Sequence, residues 1–182
     1  LTYYKKQKSP SQRRKKLLDF MSALEKSMIN CHSCTGLCCT FRANSMQITL
    51  LEALDLYFYL KKDSKRYQDS IKACLKTIQR FRLDKDIPYH KNTPVFRRYY
   101  TCSFFDEDRK KCLIPPTVKP YGCLSFNPAK KEEHSGRLCY QRKALLEQHE
   151  KQNKTRCTSN LLWEKTTIPE AMIELHETFH KN

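Results

Sequence analysis

Cysteine is the residue type in this chain best equipped for chemistry: there are ten, and four of them fall within nine positions, Cys31-His-Ser-Cys34-Thr-Gly-Leu-Cys38-Cys39. A C-x2-C loop lets two thiolates turn toward one metal at about 2.3 Å each, and Gly36 relieves the backbone as it curls back. Adjacent side chains point apart in most backbone conformations. Of Cys38 and Cys39, then, either one serves a different metal or the two bridge a larger cluster. A second set lies downstream at Cys102, Cys112 and Cys123, with Cys139 as its fourth member. These eight thiolates would hold two four-coordinate zinc ions, or one iron-sulfur cluster, of the 4Fe-4S type, with four cysteines left for a second site or for redox duty. Thiolates suit zinc and iron-sulfur chemistry equally, so both remain open at this point. The competing reading is a set of structural thiols or disulfides in an exported protein.

Other reactive residues read more plainly. Cys74 falls between Ile71 and Leu75 on an apolar helical face, where a free cysteine acts as a small hydrophobe. Cys157 has no partner at ligand spacing, and His32 reads as a solvent-facing loop residue. His176-Glu-Thr-Phe-His180 matches H-E-x-x-H, which on a helix sets two imidazoles on one face beside a glutamate that could activate water. Only two residues follow His180, so no third ligand is expected downstream, and both imidazoles are expected to be exposed in a final helical turn. No Ser, His and Asp arrangement or paired carboxylates stand out, which leaves catalytic residues and substrate unassigned. Gly36, Gly122 and Gly136 are the only glycines and stand far apart, which excludes a dinucleotide fingerprint and a P-loop.

The chain carries 35 Lys+Arg against 19 Asp+Glu in 182 residues, a formal charge of +16. Such basicity can neutralise phosphates, and a zinc-stabilised nucleic-acid- or ribosome-associated module is the alternative reading. The cations are nonetheless scattered. A zinc ion in four thiolates carries about −2, so nearby cations would also stabilise a metal site. The first twenty residues lack the apolar core of a secretory signal, and Thr49 to Leu60 is interrupted by Glu52 and Asp55 and too short to span a bilayer. A reducing, cytoplasmic setting without a membrane span is expected.

Elements must bring the two cysteine sets together. Residues 1–16 hold Lys5, Lys6, Lys8, Arg13, Arg14, Lys15 and Lys16 and no acid, and read as a mobile basic tail. Residues 17–140 read as the cysteine-cluster domain and 141–182 as a C-terminal helical extension packed on it. Apolar residues from Leu17 to Ile29 predict a helix ending near Asn30. Thr49 and Glu52 form a capping box for a helix to about Lys62, and Tyr67, Ile71, Cys74, Leu75, Ile78 and Phe81 predict another over 64–83. Val95 to Phe105 predicts a strand, joined to Cys112-Leu-Ile as a hairpin across Asp106 to Lys111. Prolines 115, 116, 120 and 128 predict irregular chain, a weakly patterned helix is expected over 138–152, and Thr167 and Glu170 cap a last helix.

Three stretches together, CHSCTGLCC at 31–39, ITLLEALDL at 48–56, and Cys102, Cys112 and Cys123 with their spacers, resemble the YkgJ-type cysteine-cluster family. The similarity spans roughly residues 20–140. It implies a zinc- or iron-chelating domain, and some larger members, the flagellin lysine N-methylases, join such a centre to protein methylation. A component of a lysine-methylation system is therefore a minor reading. Where the family has Arg-Pro ahead of the last spaced cysteine and Arg right after it, this chain has Lys119-Pro120 and Leu124. The expected fold is a small α+β domain, mainly helical with a short β-hairpin, pinned by one or two cysteine-ligated metal centres. Binding of a structural zinc would couple about 10 to 16 kcal/mol to folding.

Overall fold

A computed structural model describes residues 2–25, 36–85, 98–125 and 165–180. Its centre is α3, Leu50–Leu60, a run so apolar that nine of its eleven residues are buried. A helix apolar on all sides must be covered on all sides. Thr49 caps it as the sequence predicts: the Thr49 hydroxyl accepts from the Glu52 amide, and the Glu52 carboxylate accepts from the Thr49 amide at 2.8 Å. Helix α4, Ser64–Phe81, is amphipathic, burying Tyr67, Ser70, Ile71, Cys74 and Thr77, and it ends at Arg82 in the left-handed conformation. The last helix, α6 (Ile168–His180), packs against both, burying Ala171, Met172 and Leu175 in the core shared with α3 and α4. It supplies one side of the core.

Two small antiparallel sheets complete the frame. In the first, β1 (Gln47–Ile48) pairs with β4 (Thr166–Thr167), Gln47 opposite Thr167. Each of these strands leads directly into a capped helix, so α3 and α6 start side by side. The Thr167 hydroxyl donates to Glu170 Oε2 at 2.5 Å, matching the second predicted capping pair. The second sheet is the predicted hairpin, β2 (Phe105–Asp106) with β3 (Lys111–Cys112), Phe105 opposite Cys112. It is shorter than expected. Residues 98–104 are not strand, because their backbone is bonded to the 39–44 loop: the Tyr100 amide donates to the Asn44 carbonyl at 3.0 Å and the Cys102 amide to that of Cys39 at 2.7 Å.

The N-terminal residues also depart from expectation. They form α1 (Thr2–Lys5) and α2 (Pro10–Glu25), so the helix predicted from Leu17 starts seven residues earlier and most of the supposed mobile tail is helical. Arg14 is fully buried and its Nη1 donates to Asp55 Oδ2 at 2.6 Å. Arg13 also pairs with Asp55, and the Tyr4 hydroxyl donates to Asp55 Oδ1 at 2.9 Å. Buried charge is tolerated only when paired in this way. A further short helix, α5 (Tyr121–Ser125), lies in the proline-rich stretch expected to be irregular, and its Tyr121 and Leu124 form a second small core with Leu17 of α2. The helix expected over 138–152 lies outside the described residues. The observed architecture is a mixed, mainly helical α+β domain, and no described helix is long and apolar enough to cross a membrane.

Candidate metal centre

Cys38 and Cys39 occupy a single 3-10 turn at Leu37–Cys39, which the Cys39 amide closes on the Gly36 carbonyl at 2.8 Å. Gly36 has φ of 72°, and a Cβ there would stand 2.1 Å from Cζ of the Phe105 ring. Only glycine fits both the left-handed backbone and that approach. The turn thus lies directly against the hairpin, whose register sets Cys112 opposite Phe105. Cys102 is held beside Cys39 by a hydrogen bond from its amide to the Cys39 carbonyl, while the Phe41 amide donates to Thr101 Oγ1 at 3.2 Å and Asn44 Nδ2 to the Tyr100 carbonyl at 2.9 Å.

Cys123 comes from the third direction, on α5. Two buried groups fix that helix. The Tyr121 amide donates to Glu52 Oε1 at 2.8 Å, so the capping carboxylate of α3 also holds the start of α5. Arg14 Nε donates to the Lys119 carbonyl at 2.6 Å, and the Arg14 guanidinium lies 4.7 Å from the centre of the Tyr121 ring. Burial raises the Glu52 pKa, opposed by the hydrogen bonds from Thr49 and Tyr121 and by the Arg14 charge.

The electrostatics show how closely the thiols gather. Protein packed around Cys102 pushes its pKa up to about 12, and the charges that ionised Cys112, Cys74 and Cys38 would carry push it the same way. Cys123 is raised well above the ordinary thiol value by burial, then by Cys102, Cys112 and Cys38, while Lys119 lowers it. Both residues still keep part of their surface in contact with solvent. Cys102 and Cys123 thus both feel the thiols of the hairpin and of the 3-10 turn, and Cys123 feels that of Cys102 as well. Lys119, at the position where the resemblance led to an expected arginine, is the cation that favours ionisation of Cys123.

Several sequence expectations can now be placed. Cys38, Cys102, Cys112 and Cys123 come from neighbouring segments of the fold, with their side chains not gathered into a metal-holding group. Cys39 lies next to them with its Sγ 4.0 Å from that of Cys38, so the two neighbouring side chains do not point apart as expected. Cys31, Cys34 and Cys139 lie outside the described residues, as do Cys157 and His32. Cys74 is fully buried in the main core, as expected, with its pKa pushed up to about 12 by burial. Its proximity to Cys102 had no signature in the sequence.

As donors these thiols fit zinc or an iron-sulfur cluster, because thiolate is the ligand both prefer and a bound cation would offset the burial and mutual repulsion that oppose ionisation of Cys102 and Cys123. Among the described residues, however, no three His, Cys, Asp or Glu side chains already stand in an arrangement that would hold a metal ion. The convergence is of elements, and coordination requires the side chains to close in.

The H-E-x-x-H pair is a different matter. Its rings are 4.6 Å apart, but the Lys61 ammonium lies 2.8 Å from His180 Nε2 and can only donate, which occupies that lone pair. His180 is exposed as expected; His176 is not, being half-buried with its Nδ1 2.7 Å from the Tyr67 hydroxyl. The pair joins α6 to α3 and α4. No family model, curated protein or solved structure matches the chain.

Proposed function

We propose that this protein binds a thiophilic metal, as a zinc ion or an iron-sulfur cluster, through Cys38, Cys102, Cys112 and Cys123, with Cys31, Cys34, Cys39 and Cys139 as the remaining thiols of the sequence pattern. The observation that carries the reading is the convergence of four cysteine-bearing segments from separate elements, with Cys102 and Cys123 both disfavoured as anions by burial and by the neighbouring thiols. The resemblance to the YkgJ-type family supports it from the sequence side. A bound zinc would supply a cross-link between the 3-10 turn, the hairpin and α5; a cluster would supply electron storage at the same place. Gly36, Glu52 and Arg14 position the turn and the short helix for it. Such a site persists in a reducing compartment, and the reading accordingly places the protein in the cytoplasm.

Titration of reduced, metal-free protein with cobalt(II) tests this directly. Thiolate-to-cobalt charge-transfer absorption should saturate at stoichiometric metal, survive Cys74→Ala, and disappear in Cys102→Ser and Cys123→Ser. Retention of the full signal in both serine variants would overturn the assignment.

A further inference from the structure

On the face beside the thiols, large rings stand in solvent where a soluble domain gains nothing by showing them. Phe41 and Tyr99 are each 52% exposed. Phe41 is stacked loosely toward Phe81 at the end of α4, with ring centres 6.4 Å apart and planes at 33°, and the Arg80 guanidinium lies 5.3 Å from the Phe81 centre. Tyr99 belongs to the segment bonded to the 39–44 loop, so all three rings belong to one neighbourhood of the fold.

That neighbourhood is also basic. Arg42, Arg80 and Arg82 are exposed, and no acidic side chain pairs with them among the described residues. Lys85 and Arg98 add two further cations, with Asp84 3.3 Å from Lys85 and Glu170 3.9 Å from Arg98 as their counterions. The main-chain carbonyl of Lys85 accepts from Arg98, which ties the 98–102 segment to the end of α4. Exposed rings interleaved with unpaired guanidinium groups match a chain of phosphates carrying flat, stackable bases. A duplex would offer phosphates but no free base faces for these rings.

We infer that this face, built on Phe41, Phe81 and Tyr99 with Arg42, Arg80 and Arg82, binds single-stranded nucleic acid by base stacking and phosphate contact. The inference does not depend on the metal reading. Binding of a fluorescein-labelled oligouridylate of about fifteen nucleotides to the full chain is the test, read by anisotropy across a salt series. Affinity should fall steeply with salt, and Arg42→Gln with Arg80→Gln and Arg82→Gln should lower the slope of log K against log salt by about 2. The uncharged pair Phe41→Leu with Tyr99→Leu should weaken binding about tenfold and leave that slope unchanged. Leucine keeps apolar bulk beside the 39–44 loop, and Tyr99→Leu alone, which should cost a smaller factor, guards against a folding defect. Binding within twofold of wild type in both leucine variants would overturn the inference, leaving only general attraction to polyanions. So would the absence of binding at low salt, or equal competition by duplex DNA or polyglutamate.

Discussion

At the scale of single residues, proton accounting governs the thiols. Cys102 and Cys74 are raised from 9.0 to about 12, whereas in the unfolded chain they ionise near the ordinary value. Between those limits these thiols hold more protons in the folded, metal-free chain than in the unfolded one, so the stability they contribute is level below about 9 and falls as pH rises toward about 12. Buried Tyr100, also raised, acts in the same direction. The melting temperature of metal-free protein should therefore drop progressively above pH 9, and Cys74→Ala should flatten part of the drop; a melting temperature independent of pH there would contradict it. The same protons oppose metal. Each thiol must release one on coordination, so metal affinity should rise with pH through the neutral range, with proton release measurable in weak buffer.

At the scale of elements, two contacts decide whether the thiols meet. Asp55 gathers Tyr4, Arg13 and Arg14 and so holds α1 and α2 against α3. Asp55→Ala leaves two guanidinium groups without their anion and should cost about 3 to 5 kcal/mol in urea denaturation; a loss under 1 kcal/mol would show that the pair contributes little. Gly36→Ala is strained by its backbone and meets the Phe105 ring, so it should weaken metal binding more than it lowers the melting temperature of the helical core. Equal losses in both would remove the turn's special link to the site. What was legible in the sequence divides along the same line. Both capping pairs and the periodicity of α4 are local, read from residues three or four apart. The buried state of Arg14 was not, because its partner lies 41 positions away and a run of basic residues looks the same whether solvated or paired. Likewise the 98–104 segment has the composition of a strand, yet the 39–44 loop takes its hydrogen bonds.

At the scale of the whole molecule, the apolar core and the cysteine-bearing segments are neighbours, and the proposed metal site would lie at the edge of that core. Leu56, Tyr57, Ile71, Met172 and Leu175 pack α3, α4 and α6 together without any of the converging thiols as a keystone, although Cys102 and Cys112 touch that core from its edge. Chelation should thus preserve most of the helical circular dichroism while exposing the amides of 36–44, 98–112 and 121–125 to hydrogen exchange. Loss of all helix on chelation would instead make the metal a condition of folding. The cysteine spacing raised the expectation of a metal site, but the approach of the segments that carry Cys38, Cys102, Cys112 and Cys123 is set by the packing of α5 and the hairpin, which no local pattern encodes. The most direct test of that grouping is anaerobic purification of the full chain, followed by zinc, iron and acid-labile sulfide analysis beside the same chain with those four cysteines changed to serine. The account predicts stoichiometric zinc, or iron with sulfide, in the first sample and its loss in the second; neither metal in the first, or equal metal in both, would contradict it.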